Sequence, residues 1–495
     1  MIKDYQTKNK QILAEGANSL RNPIKAFLLI KHLVIDWKII ENLMMQNVAK
    51  VFIRRIAEER IKQKIKYPTE EDLTGAATAI FRLQDVYKLN TKDLSNGKIF
   101  DVGSNQNLSA RDCFLIGRAA YRAKDYYHAL LWMQEAYDKV QKESEPSFED
   151  LQDIMEKLSF ALFKQGNVKR ALLLIEQLKE IAPNHKRTAK KIKLYEEALK
   201  KEGFKPNEFR ENIPPMENRR FEDETRYRTT HIYEALCRNE IPIGDEEISK
   251  LYCYYKQDHP YLLLAPFKVE IVRFDPLAVI FHDVISNEEI SIIQEVSHSR
   301  LERAQVVSPA TRRREPASFR ISKNVWLENN EHEIVERLNR RIHLMTNLDL
   351  KFAEDLQIAN YGIGGYYDVH YDFFMKDSPL LESLPQGNRI ATVLFYMSQP
   401  EIGGATAFIP IKTTVLPSKN GALFWYNLVR SGEGDHRTHH AACPVLVGIK
   451  WIANKWIHEA GQEFLRPCGL KETDQEAFVG DLGGPVPKDH SNIRS

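Results

Sequence analysis

The feature that most constrains how this chain folds is a change of hydrophobic pattern near residue 200. Before it, apolar residues recur at helical spacing, as at Phe27, Ile30 and Val34 in the stretch 24–45. After about residue 250, short β-prone runs such as VEIVRF, VIFHDVI and IATVLFYMS alternate with turn residues. Since 495 residues suffice for several domains, we predict a multidomain α plus β protein. Helical domains come first, followed by an antiparallel sandwich or barrel with flanking helices at 287–296 and 331–345.

Two similar helix pairs follow residue 113 and have the pattern of tetratricopeptide repeats. Gly117, Ala129 and Met133 in the first unit, and Leu158 and Ala171 in the second, occupy the small and bulky positions of such repeats. Stacked pairs of this kind form a concave groove that binds extended peptides. Four aromatic side chains could stack on proline rings there, or could instead form the core between helices: Tyr121, Tyr126, Tyr127 and Phe160.

Composition predicts where the domains meet. Residues 201–230 mix acidic, basic and proline residues with little periodicity, which is typical of a linker. The tail from about residue 471 contains Gly-Gly-Pro and few apolar residues, which indicates disorder. We therefore expect a helical region at 1–105, the repeat domain at 106–200, a linker at 201–250, the β-rich domain at 251–470 and a disordered tail at 471–495.

A candidate metal site lies in the stretch YYDVHYDFF at 366–374. His370 and Asp372 are two residues apart, so in a strand both side chains point to one face. The histidine cluster further on, GDHRTHHAACP, holds His436, His439 and His440. Two histidines and one carboxylate on a β scaffold leave coordination positions open and suit non-haem Fe(II) oxygenases, although Zn²⁺ accepts the same ligands.

Lys450 favours an oxygenase over a zinc hydrolase. It follows His440 on the next predicted strand, after the turn at 447–448. An oxygenase that uses 2-oxoglutarate binds iron through the 2-oxo acid end and needs a cation for the distal carboxylate, which a flexible lysine can supply. Tyr361 and Thr406 could donate hydrogen bonds to the same carboxylate.

These segments resemble the alpha subunit of animal collagen prolyl 4-hydroxylase, an Fe(II)- and 2-oxoglutarate-dependent dioxygenase. The matching strings are LQIANYGIGGYYDVHYDFF, GNRIATVLFYMS, GGATAF, GALFWYNLVRSGEGD and HAACPVLVGIKWIANKWIHEAGQEF, with NPIKAF near the start and DYYHALLWM in the repeats. The resemblance implies that the β-rich domain is a catalytic double-stranded β-helix, or jelly roll. It also implies that the repeat domain binds peptide substrate and that the first hundred residues or so dimerise.

The resemblance further implies a reaction and the residues that perform it. The reaction is hydroxylation at C4 of proline in X-Pro-Gly sequences of procollagen, consuming O2 and 2-oxoglutarate and releasing succinate and CO2, with L-ascorbate maintaining the iron. The resemblance implies that Fe(II) is bound by His370, Asp372 and His440. It implies that 2-oxoglutarate is bound by Lys450, Tyr361 and Thr406, and that the peptide side of the site is lined by Arg389 and His458.

The five cysteines allow two interpretations. Cys237, Cys253, Cys443 and Cys468 fall into two sequence-local pairs, which could be buried thiols or short-loop disulfides, and their spacing does not decide between these. The resemblance implies the disulfides Cys237–Cys253 and Cys443–Cys468, with Cys113 left free. Paired cysteines favour an oxidising compartment.

Charge and apolar runs bear on partners and compartment. The net charge of +2 gives no electrostatic footprint for nucleic acid, and no apolar run approaches the ~18 residues of a membrane span. The first residues lack the apolar segment of a secretory signal. The resemblance nevertheless implies the endoplasmic reticulum lumen, so we expect a truncated start. It also implies protein disulfide isomerase as beta subunit of an alpha2-beta2 tetramer.

Other functions stay open on the sequence alone. The chain could be a 2-oxoglutarate oxygenase acting on another proline-rich secreted protein, which would leave the site residues unchanged. It could be a catalytically dead chaperone that holds proline-rich peptides in its helical groove, although an intact ligand set disfavours this. A zinc hydrolase is the third alternative.

Overall fold

The computed structural model describes residues 2–16, 20–45, 50–62, 67–103, 106–143, 148–220, 227–307, 314–317, 319–471, 474, 476 and 478–480. The chain forms two compact units, Met1–Tyr227 and Arg228–Ser495. Within the described parts of both units, no helix combines the length and the hydropathy that crossing a membrane would require.

The first unit is helical. Its helices are α1 (Ile2–Glu15), α2 (Pro23–Lys31), a π-helical segment (His32–Asp36), α3 (Trp37–Met45), α4 (Lys50–Lys62), α5 (Glu70–Tyr87), α6 (Thr91–Ser95), α7 (Ala110–Arg122), α8 (Tyr126–Val140), α9 (Phe148–Lys164), α10 (Val168–Ile181) and α11 (Thr188–Lys201), with a small hairpin of β1 (Lys98–Ile99) and β2 (Val102–Gly103). Local sequence sets several of these starts. The Asn22 side chain accepts from two amides at the start of α2, whose first residue is a proline. Capping boxes at Thr69 and Ser109 begin α5 and α7.

The predicted tetratricopeptide-like helix pairs are confirmed as α7 with α8 and α9 with α10. Gly117 is small because α8 crosses closely there: a Cβ at this position would lie 3.2 Å from three atoms of Met133. Ala129 and Ala171 are fully buried between the helices. Small residues at these crossings let the helix backbones approach, and the bulky partners fill the remaining space.

Residues 211–219 differ from the predicted linker because side chains of the repeat domain hold their backbone. We call this segment the strap. Asn167 donates from Nδ2 to the Glu217 carbonyl at 2.6 Å and accepts from the Glu217 amide at 2.8 Å. Arg170 donates to the Pro214 carbonyl from Nε at 3.1 Å and from Nη2 at 2.9 Å. The strap therefore docks along the start of α10. Later parts of the predicted 201–250 linker form helices α12 (Tyr227–Cys237) and α13 (Asp245–Ile248) of the second unit.

The second unit is a sandwich of antiparallel sheets with two long helices. Its further elements are β3 (Cys253–Lys256), β4 (Phe267–Phe274), β5 (Leu277–His282), α14 (Asn287–His298), β6 (Glu302–Arg303), β7 (Gln305–Val307), β8 (Arg314–Pro316), β9 (Arg320–Ile321), β10 (Lys323–Leu327), α15 (Glu333–Thr346), β11 (Leu356–Tyr361), β12 (Tyr366–His370), α16 (Pro379–Glu382), β13 (Arg389–Tyr396), β14 (Ile402–Gly403), β15 (Thr406–Phe408), β16 (Thr413–Val415), β17 (Ala422–Tyr426), β18 (His440–Ala442), β19 (Val445–Val447) and β20 (Lys450–His458). The major sheet has the order β3-β4-β5-β17-β13-β20-β11-β10-β6, and the minor sheet the order β16-β15-β18-β12-β9.

Two cores explain this arrangement. One lies between the sheets, where major-sheet residues such as Leu394 and Ile452 meet Phe408 and Val415 of the minor sheet. The other lies on the outer face of the major sheet, where α14 and α15 pack their apolar faces, with Leu338 among the buried residues. The central strands of the major sheet, β5, β17, β13 and β20, are buried on both faces, so the predicted sandwich with flanking helices is confirmed.

The structure corrects the predicted disulfide pairing. Cys237, the last residue of α12, is bonded to Cys443, which follows β18, while Cys253 and Cys468 are exposed free thiols. The two bonded cysteines are 206 residues apart. They meet because the end of α12 lies beside the minor sheet, where Thr414 donates to the Leu236 carbonyl at 2.9 Å. Cys113 is free and buried.

The predicted start of the disordered tail is too early. Arg466 and Glu476 form a buried ion pair, and Val479, only 2% exposed, belongs to the core beneath the outer face of the major sheet. The prediction for residues 481–495 falls outside the described residues.

Candidate metal and co-substrate site

The predicted metal ligands come together at one end of the paired inner strands β12 and β18 of the minor sheet. β12 and β18 pair antiparallel with His370 directly opposite His440, so both rings project from the same face. Asp372 lies two residues beyond the end of β12, in the following bend, rather than inside the strand as expected. Its carboxylate still reaches the histidines, because one ligand atom from each of the three residues lies within 4.8 Å of the others.

Hydrogen bonds fix which imidazole nitrogen faces this cluster. The Nδ1 of His370 lies 2.7 Å from the Asp368 carbonyl, and the Nδ1 of His440 lies 2.9 Å from the Thr438 carbonyl. A carbonyl oxygen only accepts, so each Nδ1 carries the hydrogen and each Nε2 presents a lone pair. Both Nε2 atoms point to Asp372, at 3.7 Å from Oδ1 and 3.8 Å from Oδ2.

The protonation states also suit a metal. Burial lowers the pKa of His370, and the neighbouring His440 lowers it further, which keeps the ring neutral. Burial would raise the pKa of Asp372, but His440, His370 and Arg389 outweigh it and the pKa is lowered, so the carboxylate is ionised. Two imidazoles and one carboxylate form a donor set that suits Fe(II).

The other two histidines of the cluster lie elsewhere. His439 stacks on Tyr371, with ring centroids 4.3 Å apart, and His436 meets the edge of the same ring at 5.3 Å. The choice of His440 among the three is therefore supported by geometry.

Lys450 lies in the same cavity as the three ligands. It is 1% exposed, and its Nζ has no hydrogen-bond partner among the described residues. Burial lowers its pKa to about 7. The Lys450 side chain passes close to the backbone of Gly404, which has φ +73°. A Cβ at position 404 would lie 3.3 Å from Lys450 Cδ, so both the space and the backbone conformation favour glycine there. A buried ammonium with no partner is costly, so this cavity fits an anion.

Tyr361 and Thr406 line the cavity beside Lys450. Tyr361 faces Lys450 across the β11–β20 pair, and the lysine Nζ lies 5.7 Å from the centre of its ring. Thr406 Oγ1 lies 2.9 Å from the hydroxyl of Tyr396. The ring of Tyr396 also lies near the lysine, with its centre 5.7 Å from Lys450 Nζ. The structure thus brings together all six residues predicted for metal and 2-oxoglutarate, and the donor set and the unpartnered ammonium fit both groups.

The comparisons with known proteins agree with this site. Residues 356–458 match the family model for the 2OG-Fe(II) oxygenase superfamily. Residues 110–201 match the prolyl 4-hydroxylase peptide-substrate-binding domain, and residues 1–101 match the prolyl 4-hydroxylase alpha-subunit N-terminal region. Prolyl 4-hydroxylase subunit alpha-1 of Caenorhabditis elegans is 52% identical over 100% of this chain and 88% of its own length. The chain belongs to the prolyl 4-hydroxylase alpha-subunit family.

Two further matches have lower sequence identity to this chain. Prolyl 4-hydroxylase subunit alpha-1 of Homo sapiens is 42% identical over 92% of this chain and 85% of its own length. Among solved structures, the viral collagen prolyl hydroxylase of Paramecium Bursaria Chlorella virus-1, in its 2OG complex, aligns with 36% of this chain and 94% of its own at 26% identity and a TM-score of 0.30.

Arg389 and His458 meet at Glu354, beside the candidate metal ligands. Arg389 forms an ion pair with Glu354 and also donates to the Asp372 carbonyl at 3.3 Å. His458 Nδ1 lies 2.7 Å from the Gly387 carbonyl and its Nε2 lies 3.1 Å from Glu354. Burial would raise the pKa of Glu354, but His458 and Arg389 outweigh it and the pKa is lowered. These three side chains form one hydrogen-bonded cluster.

The four aromatic residues predicted for the repeat groove divide into two groups. Tyr121, Tyr126 and Phe160 contact one another edge to face, with ring centroids 5.7 to 6.0 Å apart. All three are partly exposed. Tyr127 packs instead on His128, at 4.9 Å.

Sequence reasoning missed Thr392, which donates to Asp372 Oδ2 at 2.8 Å. No spacing rule points to it, because it lies on β13 of the opposite sheet and its contact with Asp372 exists only after the sandwich closes.

Proposed function

We propose that this chain is a prolyl 4-hydroxylase alpha subunit that hydroxylates C4 of proline in X-Pro-Gly sequences of procollagen, using O2 and 2-oxoglutarate. The observation that carries the proposal is the shared cavity, in which two imidazoles and a carboxylate converge near a buried ammonium without a partner. A zinc hydrolase would have no use for that ammonium.

In this proposal His370, Asp372 and His440 hold Fe(II), and Lys450 binds the distal carboxylate of 2-oxoglutarate. Tyr361 and Thr406 donate hydrogen bonds to that carboxylate. When bound, Fe(II) and 2-oxoglutarate supply the activation of O2, with release of succinate and CO2. The chain itself orients the co-substrate through the lysine. It also limits water: Trp425 and Phe408 pack within 4.9 and 5.6 Å of the His440 ring, measured between ring centroids.

Arg389 and His458 lie on the peptide side in this proposal. Their shared partner Glu354 holds both side chains near the Asp372 backbone. From there the partly exposed Arg389 can hydrogen-bond a substrate carbonyl, while His458, bonded through both ring nitrogens to Gly387 and Glu354, keeps Glu354 in place.

The repeat domain would hold a neighbouring stretch of the same proline-rich chain. Tyr121, Tyr126 and Phe160 offer a partly exposed aromatic surface on which proline rings can stack, and Lys164 and Lys191 lie 5.5 and 4.9 Å from the centre of the Phe160 ring. A polyproline II chain is preformed and costs little entropy to bind. Binding at a second point raises the effective concentration of the substrate at the catalytic site. We assign Tyr127 to the edge of this surface.

We further propose that the chain works in the endoplasmic reticulum lumen, with protein disulfide isomerase as beta subunit of an alpha2-beta2 tetramer and L-ascorbate maintaining the iron. Family membership and a disulfide in the catalytic unit support this compartment.

The test is succinate release and peptide mass gain with (Pro-Pro-Gly) repeats, using the chain co-expressed with protein disulfide isomerase. His370→Ala and Lys450→Ala should abolish turnover, and excess 2-oxoglutarate should partly rescue only the second. His439→Ala is the matched control, since it removes a neighbouring histidine outside the ligand group and should retain activity. If the wild-type complex is silent on every proline-rich peptide but binds them, the chaperone interpretation replaces the enzyme. If Zn²⁺ rather than Fe(II) restores activity, the oxygenase assignment fails.

A further inference from the structure

A buried chain of hydrogen bonds ends at the carboxylate of Asp372. Thr392 Oγ1 donates to Asp372 Oδ2 at 2.8 Å, and Asn427 Nδ2 donates to Thr392 Oγ1 at 2.9 Å. Thr392 is 1% exposed and Asn427 is 0% exposed. Thr392 lies within β13 between Trp425 and Trp456 of the neighbouring strands, so its position is set by the major sheet.

The direction of this chain follows from the atoms. An ionised carboxylate only accepts, so the single hydroxyl hydrogen of Thr392 must point to Asp372. The hydroxyl can then only accept from Asn427, which requires the amide nitrogen, not the oxygen, to face it. Asn427 is held in turn by its backbone, whose amide donates to the Ile390 carbonyl and whose carbonyl accepts from the Asp435 amide, both at 2.8 Å.

Asp372 needs such support because it lies outside the strand ladder. His370 and His440 are fixed by a strand pair and by their own Nδ1 bonds. Asp372 follows the end of β12, so the orientation of its carboxylate depends on side chains of the major sheet: Thr392, which donates to Oδ2, and Trp456, which also lowers the pKa of the carboxyl group. Its Oδ1 and Oδ2 face His370 and His440 at similar distances, 3.7 and 3.8 Å, so an anchor on one oxygen sets how the carboxylate is turned toward the two imidazoles.

Asn427 has a feature that a purely structural residue would avoid. Its side-chain oxygen is buried without a hydrogen-bond partner among the described residues, and such a group lowers stability. A leucine of similar size would fill the position without that cost.

We propose that Thr392 and Asn427 are positioning residues that hold the Asp372 carboxylate, through Oδ2, turned toward His370 and His440. Held in this way, the carboxylate would be ready to bind a metal together with the two imidazoles. This inference rests on the proposed metal site. Groups that orient metal ligands in this way typically change metal affinity by about 10- to 100-fold.

The experiment measures Co²⁺ binding to the metal-free full-length protein by visible absorption, which reports affinity and coordination without turnover. Thr392→Val keeps the side-chain shape but removes the donor, and it should weaken Co²⁺ binding by about 10- to 100-fold and change the intensity of the absorption bands. Thr392→Ser restores the hydroxyl and should stay within about threefold of wild type in affinity, with the wild-type spectrum. Thr346→Val is the matched control, because it removes another buried hydroxyl, one that donates to the Ile342 carbonyl in α15.

Asn427→Leu provides an independent arm, should Thr392→Val fail to fold. It should weaken Co²⁺ binding while leaving the thermal unfolding of the metal-free protein unchanged or raised, since it removes the unpartnered oxygen. Thr392→Val combined with Asn427→Leu should be no weaker than Thr392→Val alone, because the two residues act in series. The inference would be overturned if Thr392→Val kept wild-type Co²⁺ affinity and spectra. It would also be overturned if Asn427→Leu lost Co²⁺ affinity only in proportion to a loss of thermal stability. Failure of wild-type protein to bind Co²⁺ would instead overturn the metal site itself.

Discussion

Replacing Lys450 with methionine should stabilise the metal-free and co-substrate-free protein while removing its affinity for 2-oxoglutarate. The ammonium is 1% exposed and has no partner among the described residues. Burial lowers its pKa from 10.5 to about 7. At about 1.4 kcal/mol per pH unit, that displacement makes the charged lysine destabilising by about 5 kcal/mol below pH 7. Methionine keeps the aliphatic contacts and removes the charge, so we expect a gain of about 2 to 5 kcal/mol in the free energy of unfolding.

The stability difference between wild-type protein and Lys450→Met should depend on pH. Between about pH 7 and the unfolded-state value of 10.5 the unfolded chain binds more protons at this lysine than the folded protein does, so wild-type stability rises with pH there. The advantage of Lys450→Met should therefore be largest near pH 6 and shrink by about 3 kcal/mol between pH 7 and pH 9. Urea unfolding followed by tryptophan fluorescence measures this.

Binding of 2-oxoglutarate, measured by calorimetry on the same proteins, should fall by at least about 100-fold in Lys450→Met. Lys455→Met is the control: Lys455 lies on the same strand, is also fully buried, and donates to Asn329 Oδ1 at 2.7 Å. It should leave 2-oxoglutarate affinity within about threefold, since its alternating position on β20 puts it on the opposite face. A stability difference for Lys450→Met that does not change with pH, or unchanged co-substrate affinity, would refute the reasoning.

Four further outcomes are expected. Asp372→Asn should weaken Mn²⁺ binding by at least about 100-fold, because the three described ligands lose their carboxylate; a titration that gives near wild-type Mn²⁺ affinity would contradict this. Phe160→Ala should raise KM for long (Pro-Pro-Gly) chains by about tenfold and leave kcat on short peptides unchanged; an equal effect on both lengths would speak against a groove. Non-reducing peptide mapping should recover a Cys237–Cys443 peptide, and recovery of sequence-local pairs alone would contradict the structure. Asn167→Ala should speed tryptic cleavage in the strap severalfold, since it removes both bonds to the Glu217 backbone; an unchanged rate would mean that the strap is not held there.

Sequence reasoning could find the centre of the site because its residues lie at short, regular spacings. His370 and Asp372 are near neighbours, and Lys450 follows His440 on the next long strand. Both pairs can therefore be recognised in the sequence without the structure. The helical repeats were equally visible, because Gly117 and Ala129 sit where helix crossings demand small residues. In each case one element, or two adjacent elements, carries the signal.

The features that could not be predicted from the sequence depend on contacts between segments that are far apart in the chain. Thr392 and Asn427 carry no motif, and their roles arise only when β13 closes over Asp372. The disulfide was predicted between sequence neighbours, yet Cys237 and Cys443 meet across a tertiary contact. The strap looked like a linker by composition, since much of its order comes from side chains of the repeat domain, such as Asn167 and Arg170.

The most direct test of the account is an anaerobic titration of the metal-free protein with Fe(II) and 2-oxoglutarate, followed by visible absorption. A 2-oxo acid bound to Fe(II) absorbs in the visible range, so the band reports metal and co-substrate in one site. In wild-type protein we expect the band to reach its full intensity at one Fe(II) per chain. His440→Ala should show no band, and Lys450→Met should show the band only at a far higher 2-oxoglutarate concentration. No band in wild-type protein, or the same band at the same concentrations in all three, would contradict the claim that these residues share one Fe(II) and one 2-oxoglutarate.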